Sequence, residues 1–332
     1  MVEVVVLALA DDAPAGGGCG ACPGGGGACA AGAGTAGGAT VTLAPCAGAP
    51  AVPEEVAACV RALAATGAAV ELVTATATAE IDAVLARLDG PVRPDGLAWP
   101  APDGVRLVLA ASEDSQVRAV VRRLVRRYAP PPSRRPADLP AGRTVPDLPA
   151  LAILPVPGPA GTGPDLVRLL GLLGLPPDPQ AVAAAVGAGR VQRLDLLRHD
   201  GGSVTLGGAV LGQQPYWHAR VEVDDVVLAR PDEPLLVCVV TNAGGYAQVG
   251  GLSLAPAADP ADGQITVAVA VPVPARRWGR RRPRVEVRRA TGRAVAVTPR
   301  DEVAVVDDGV AGTLARRRSW WIEVGAWAVR RP

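Results

Sequence analysis

The chain has 332 residues, of which 49% are hydrophobic, and a formal net charge of +1. A chain of this length can bury a substantial core and suggests two domains. The balanced charge excludes a global electrostatic field that would recruit nucleic acid or an anionic membrane, so any basic binding surface must be local.

The N-terminal region combines a short strand-like run, residues 2–9, with a tract at residues 13–39 that is almost entirely Gly, Ala, Cys and Pro. Such a tract cannot bury enough apolar surface to offset the entropy of ordering it. We therefore predict that residues 1–40 comprise one strand and a flexible insert.

Two features of the sequence bear on metal binding and location. The insert carries Cys19, Cys22 and Cys29, but a zinc site would need a second cysteine pair or nearby histidines, so reduced thiols are the simpler interpretation. The chain does not open with the pattern of a signal peptide, and no run reaches the roughly 18 apolar residues of a membrane span. We expect a cytoplasmic protein.

Strand and helix patterns alternate from residue 41 to residue 188, where each strand-like run is followed by apolar residues at helical spacing. The strand-like runs are residues 41–43, 70–73, 105–109 and 151–154, and the helical patterns begin near residues 53, 81, 117 and 165. This alternation predicts a parallel sheet covered by helices, with a Pro-rich surface loop at residues 129–149.

The most regular helical pattern, residues 117–128, is rich in arginine outside its apolar face. The arginines are Arg118, Arg122, Arg123, Arg126 and Arg127. A charged helix face is usually solvated, and we favour that interpretation over an anion-binding site.

After residue 189 the pattern changes to strands and turns. Apolar residues occupy every second position from Ile265 to Val271, which is typical of an antiparallel strand with one buried face. We predict a β-rich domain at residues 189–315 and a final strand within residues 316–332.

A glycine-containing segment follows the strand at residues 151–155. Residues 161–165 read Gly-Thr-Gly-Pro-Asp, and a glycine loop between a strand and a helix lets backbone amides approach a phosphate. This order resembles the diacylglycerol kinase family, which includes bacterial lipid kinases and sphingosine kinase-like enzymes. The resemblance implies nucleotide-binding roles for Gly161, Thr162, Gly163 and Asp165.

A second match to the family covers Asn242 and a turn that precedes a strand. Residues 255–263 read Ala-Pro-Ala-Ala-Asp-Pro-Ala-Asp-Gly, which is similar to the family's Ala-Pro run. The resemblance implies a nucleotide-binding role for Asn242 and a magnesium site at Asp259 and Asp262. Turn-forming aspartates are the alternative.

The family's Gly-Gly-Asp-Gly-Thr turn, which holds nucleotide phosphates, aligns with Ser112-Glu113-Asp114-Ser115-Gln116. Asp114 matches the family, whereas the flanking glycines and the threonine are replaced. The resemblance implies a catalytic role for Asp114 and nucleotide binding by Ser112, Ser115 and Gln116.

The family's Asp-Gly-Glu, whose Glu serves as general base, aligns with Asp308-Gly309-Val310. Valine cannot accept a proton. Asp307 or Glu302 could substitute if the backbone places one of them within hydrogen-bond reach of the acceptor, and Asp307 or Asp308 is the favoured candidate.

Together these matches imply a fold of the class α/β plus β. An N-terminal Rossmann-like α/β domain with a mostly parallel sheet (residues 41–188) precedes an antiparallel β-sandwich-like domain, with a nucleotide cleft between them and a last strand that returns to the first domain. The implied function is phosphorylation of diacylglycerol or a related lipid by ATP with Mg²⁺. Two altered motifs keep open a non-catalytic protein that binds lipid or nucleotide, and a kinase for a soluble nucleotide such as NAD is disfavoured by the Ala-Pro run.

A basic and aromatic cluster lies between two predicted strands of the β-rich domain. Its members are Arg276, Arg277, Trp278, Arg280, Arg281 and Arg282. Near an anionic membrane each such residue contributes about 1 kcal/mol of attraction, so the cluster predicts peripheral contact with the inner membrane face. A solvated hairpin loop is the alternative. No nucleic-acid partner is expected, and a homodimer is left open.

Overall fold

The computed structural model describes residues 2–9, 32–36, 39–43, 52–102, 104–159, 161–212, 216–249, 251–277 and 280–332, with the backbone alone for residues 32–36, 39–43, 274–277 and 280–283. Cys19, Cys22, Cys29 and Trp278 lie outside the described residues. The described helices include none that has the length and apolar character needed to cross a membrane. The chain divides into two compact units, residues 1–139, 144–193 and 327–332, and residues 140–143 and 194–326.

The first unit is an α/β unit, as the alternating pattern predicts. Its strands are β1 Glu3–Leu9, β2 Gly32–Ala36, β3 Ala39–Leu43, β4 Ala69–Ala75, β5 Arg106–Ala111 and β6 Ala150–Pro155, and its helices are α1 Glu54–Ala65, α2 Thr78–Ala86, α3 Asp114–Tyr128, α4 Pro164–Leu173 and α5 Pro179–Ala188. The strand order is β2-β3-β4-β1-β5-β6, and all pairs except β2–β3 are parallel.

Alternate residues of each strand point to opposite faces of the sheet. Because successive residues of these strands are apolar, both faces need to be covered by helices. Val4 and Val6 of β1 share a core cluster with residues of α1 and α5, whereas Val5 and Leu7, which are also fully buried, belong to the other face. On α3, the apolar residues predicted from the helical spacing are buried, and the arginines occupy the remaining circumference.

Two segments differ from the sequence prediction. Gly32–Ala36, assigned to the flexible insert, forms strand β2 and pairs with β3, since an antiparallel ladder joins backbone groups and needs no large side chains. The Pro-rich segment 129–149 contains a 3-10 turn, Pro132–Arg134, and buries Val145 and Leu148, so part of it is core rather than surface.

The second unit is built almost entirely from antiparallel strands. They are β8 Ser203–Thr205, β9 Gly208–Leu211, β10 Trp217–Val223, β11 Val226–Ala229, β12 Pro234–Leu235, β13 Val237–Thr241, β14 Gln248–Val249, β15 Leu252–Ser253, β16 Ile265–Arg277, β17 Arg280–Gly292, β18 Ala294–Pro299, β19 Val303–Asp307 and β20 Val310–Leu314. The chain enters this unit within β7, Arg190–His199, and leaves it within β21, Arg318–Arg331.

The second unit contains two large groups of strands and a small sheet made of β14 and β15. Strands β11, β10, β18 and the first part of β21 make one, and the order β17-β16-β13-β9-β19-β20 makes the other. One core cluster draws buried residues from both sheets, including Trp217, Val267 and Trp320, as expected of a β-sandwich. The last residues of β21 belong to the first unit, where Ala328 and Val329 pair in parallel with β6.

Candidate functional site

The predicted nucleotide-binding residues of the first unit meet at the carboxyl ends of β5 and β6. Strand β5 continues into residues 112–116, here called the Ser112 turn, and β6 continues into residues 156–159 and 161–163, here called the glycine loop. Ligands of parallel α/β sheets bind at this edge, where helices begin and their amino ends favour anions.

The glycine loop packs directly on the Ser112 turn. The amide of Gly163 donates to the carbonyl oxygen of Ser112 at 2.8 Å. A Cβ atom on Gly158 would lie 3.0 Å from the Cβ of Ser112, and one on Gly163 would lie 3.0 Å from the Ser112 carbonyl oxygen. Gly161 adopts φ +88°, which disfavours other residues. The glycines thus serve a close approach between the two segments.

The amides of the Ser112 turn are engaged by the turn's own side chains. Gln116 Oε1 accepts from the amides of Ser112 at 2.8 Å and Glu113 at 3.4 Å. The amide of Ser115 donates to Asp114 Oδ1 at 2.9 Å, and the Ser115 hydroxyl lies 3.0 Å from Glu113 Oε2. These contacts of Gln116 form a capping box at the start of α3, in which the carboxamide oxygen accepts from amides that precede the helix.

Asp114 is the most perturbed carboxyl group of this edge. Asp114 is buried, with 5% of its surface exposed. Burial, and after it the nearby carboxylate of Asp165, raise the pKa of Asp114 to about 6, whereas the Ser115 amide and the Arg168 guanidinium act in the opposite direction. Arg168 and Asp165 form an ion pair of 2.8 Å in the first turns of α4.

These residues fit a magnesium–nucleotide complex in one respect and oppose it in another. Mg²⁺ is commonly held by one or two carboxylates together with substrate phosphates, and Asp114 and Asp165 supply two neighbouring carboxylates. Against this, Gln116 must leave the amides of Ser112 and Glu113 before a phosphate can take them.

Asp308, a candidate base, lies in the tight turn between β19 and β20. Asp308 and Gly309 have φ values of 45° and 75°, which matches the two-residue type I′ hairpin turn that Asp-Gly favours. Asp308 is 1% exposed, and its carboxylate accepts from the amides of Leu206 at 2.6 Å, Gly207 at 2.8 Å and Gly208 at 3.0 Å. This carboxylate is held by the backbone of the β8–β9 turn.

Asp307, the other candidate base, belongs to a buried polar group with Thr205 and His199. The Thr205 hydroxyl lies 2.7 Å from Asp307 Oδ1, and His199 Nε2 lies 3.6 Å from Asp307 Oδ2. The Gly201 amide donates to His199 Nδ1 at 3.0 Å, so Nε2 carries the proton of the neutral ring.

Asn242 and the two predicted magnesium ligands lie near the buried carboxyl of Asp195. The side-chain amide of Asn242 donates to the Asp195 carbonyl oxygen at 2.9 Å. Asp259 and Asp262 each accept from a backbone amide two residues ahead, at 3.0 and 2.8 Å, as turn-forming aspartates do. Within the described ranges, no group of three or more His, Cys, Asp or Glu side chains is arranged to hold a metal ion.

The carboxylate of Asp195 joins this loop to β21. Its oxygens accept from the amides of Gly263 at 2.6 Å and Gly325 at 2.7 Å. Burial raises the pKa of Asp195, those two amides oppose the shift, and the carboxylates of Asp262 and Asp259 add to it.

Comparison with solved structures identifies proteins of similar fold. Over 99% of this chain and 97% of the other, the structure is similar to a diacylglycerol kinase from Bacillus anthracis strain Sterne, with a TM-score of 0.59 and 12% sequence identity. The chain has a diacylglycerol kinase-like fold. A second structure from that organism, assigned as a diacylglycerol kinase, matches over 84% of this chain and 92% of the other, with a TM-score of 0.57 and 13% identity.

The diacylglycerol kinase-like fold confirms the α/β plus β class inferred from the motifs, and it confirms the family resemblance at the level of the fold. Comparison of the sequence with protein-family models and with curated proteins gives no match. At 12% identity the similarity extends to the fold alone, and the roles of individual residues stay predictions.

Within the diacylglycerol kinase-like fold, the structure separates the predicted site residues into groups. Those of the first unit gather around the Ser112 turn and the glycine loop, namely Ser112, Asp114, Ser115, Gln116, Gly161, Thr162, Gly163 and Asp165. In the second unit, Asn242 and Asp308 both bond to the turn that follows β8. Sequence reasoning gave no role to Arg168 or His199, although the three-residue spacing of Asp165 and Arg168 on a predicted helix was a usable signal.

Proposed function

We propose that this protein is a phosphotransferase of the lipid-kinase type, which uses ATP with Mg²⁺ to phosphorylate the hydroxyl of diacylglycerol or a related lipid. The observation that carries the proposal is Asp114, a buried carboxyl with a raised pKa at the carboxyl end of β5 in a diacylglycerol kinase-like fold. Buried carboxyls with perturbed pKa values concentrate at functional sites.

Asp114 and Asp165 would hold the metal, and the metal would neutralise phosphate charge and assist phosphoryl transfer. Their proximity disfavours the charged form of Asp114, so a divalent cation between them would relieve the repulsion. Arg168, already beside Asp165, would contribute a guanidinium that can bind phosphate oxygens in pairs.

The acceptor hydroxyl needs a proton acceptor, and the second unit offers two carboxylates. The carboxylate oxygens of Asp308 already accept from three backbone amides, so they are engaged in holding the turn. Asp307 is held by Thr205 and lies near His199, a pairing that can move a proton. Asp307 is therefore the better candidate for the general base.

A second candidate function is a non-catalytic protein that binds lipid or nucleotide. Two observations favour it: Gln116 covers the amides of the Ser112 turn, and Val310 stands where the family has its glutamate base. Phosphoryl transfer depends chiefly on positioning and charge stabilisation, so a covered turn matters more than a missing base.

Transfer of radiolabelled phosphate from ATP to diacylglycerol in mixed micelles tests the proposal. We expect the wild type to phosphorylate the lipid, Asp114→Asn to lose about a hundredfold or more, and Val310→Glu to raise the rate. Asp138→Asn, which removes an exposed carboxylate that pairs with Arg93, is the matched control and should leave the rate unchanged. No transfer by the wild type or by Val310→Glu would leave the non-catalytic alternative.

A further inference from the structure

Strands β16 and β17 form a long two-stranded ribbon that continues past the rest of its sheet. The two strands pair from Ile265↔Gly292 to Arg277↔Arg280, whereas β13 pairs with β16 only from Thr266 to Ala270. In the pairings of the described residues, β17 is the strand that accompanies β16 beyond Ala270. Strand β16 runs seven residues beyond Ala270, about 24 Å at about 3.4 Å each, although Val271 at the start of this stretch is still buried in the core.

The outer part of this ribbon, residues 272–277 and 280–285, is here called the arginine ribbon. It contains Arg276, Arg277, Arg280, Arg281, Arg282 and Arg284 and no acidic residue. The register sets Arg276 opposite Arg281 and Arg277 opposite Arg280. Like charges directly opposite each other on two strands destabilise the pairing, so the arginine pairs of this register weaken the ribbon.

Arginines nearer the base of the same ribbon have partners within the protein. Arg288 contacts Glu233 at 3.0 Å and Glu286 at 2.8 Å, and Arg289 donates to the carbonyl oxygens of Leu254 and Ser253 at 2.7 and 2.9 Å. Arg288 is thus paired with carboxylates, and Arg289 is hydrogen-bonded to backbone carbonyl oxygens. The arginine ribbon concentrates positive charge in a chain whose formal net charge is only +1.

Prolines limit what can pair with the arginine ribbon. Pro272 and Pro274 lie on β16, and Pro283 lies on β17. Proline has no amide hydrogen to donate to a neighbouring strand, and prolines on an edge block the addition of another strand. A partner protein that adds a strand to this ribbon is therefore disfavoured, and a negatively charged partner is favoured.

We propose that the arginine ribbon is the surface by which this protein contacts the anionic headgroups of a membrane, an inference that rests on the proposed lipid substrate. Anionic phosphate groups would offset the like-charge repulsion that the register sets up between Arg276 and Arg281 and between Arg277 and Arg280. Each arginine that reaches an anionic surface strengthens binding by about fivefold. The ribbon's extension past the sheet suits contact with a flat surface.

Sedimentation with vesicles tests this inference without ATP or diacylglycerol, so its outcome is independent of the proposed kinase activity. The vesicles consist of phosphatidylcholine alone or of equal parts phosphatidylcholine and phosphatidylserine. We expect the wild type to bind only the mixed vesicles, and Arg280→Glu/Arg281→Glu to bind them at least about tenfold more weakly with an unchanged melting temperature.

The matched control is Arg316→Glu/Arg317→Glu, which makes the same charge change at two exposed arginines of the β20–β21 loop. This control should bind mixed vesicles as the wild type does. Three results would overturn the inference: an unaffected ribbon variant, an equal loss in the control, or a preference of the wild type for duplex DNA over mixed vesicles.

Discussion

The Ser112 turn and the Asp308 turn each place a buried aspartate in a tight turn, but the protein uses the two carboxyls in opposite ways. Asp308 accepts hydrogen bonds from three backbone amides, whereas Asp114 accepts from the adjacent Ser115 amide and lies near the carboxylate of Asp165. Burial with several amide donors stabilises a charged carboxylate, and burial beside a like charge destabilises it. The first arrangement is structural, and the second is typical of a binding site.

The largest effect that separates the two turns is expected from Asp308→Asn. An asparagine has one acceptor oxygen and would set its NH₂ group against a backbone amide, so we expect a loss of about 3 kcal/mol in the free energy of unfolding. Urea denaturation at neutral pH measures it. Asp224→Asn is the control, because Asp224 accepts from the amides of Arg293 and Ala294 but is exposed, and it should cost less. Equal losses would show that burial does not set the cost.

Asp114→Asn is expected to have the opposite sign. The folded pKa of about 6 exceeds the ordinary value of 3.8, so the folded state binds more protons between these values and stability falls as pH rises through that window. A neutral asparagine removes this dependence and should stabilise the protein by about 2 kcal/mol at neutral pH. Urea denaturation across the window measures both effects. A destabilised variant with unchanged pH dependence would contradict the account.

A smaller effect on stability is expected from Gln116→Ala. Loss of the bonds from Gln116 to the Ser112 and Glu113 amides should cost about 1 kcal/mol in thermal or urea unfolding. The freed amides should then bind inorganic phosphate more tightly than those of the wild type. Gln116→Glu is the control: it keeps the acceptor oxygens but adds negative charge, and it should bind phosphate no better than the wild type.

Much of the fold follows from local pattern. The spacing of Val117, Val120, Val121 and Leu124 predicts α3, and the alternation from Ile265 to Val271 predicts β16, because each face of these elements is either buried or exposed. The Asp308-Gly309 pair is also typical of a two-residue hairpin turn, and this local signal is independent of the family resemblance.

Other features could not be predicted because they depend on contacts between distant residues. The three amides that hold Asp308 come from residues about a hundred positions earlier in the chain. The arginine ribbon depends on how far β13 runs beside β16, which the sequence of neither strand specifies. The hydrogen bond from the Ser112 amide to Gln116 depends on one conformation of the Gln116 side chain.

Calorimetric titration with ATP and Mg²⁺ tests most directly the claim that the Ser112 turn is a nucleotide site. We predict that the wild type binds, that Gln116→Ala binds more tightly, and that Asp114→Asn loses binding although it is the more stable protein. The last comparison separates loss of the site from loss of the fold. Absence of binding heat in both the wild type and Gln116→Ala, or unchanged binding in Asp114→Asn, would contradict the account.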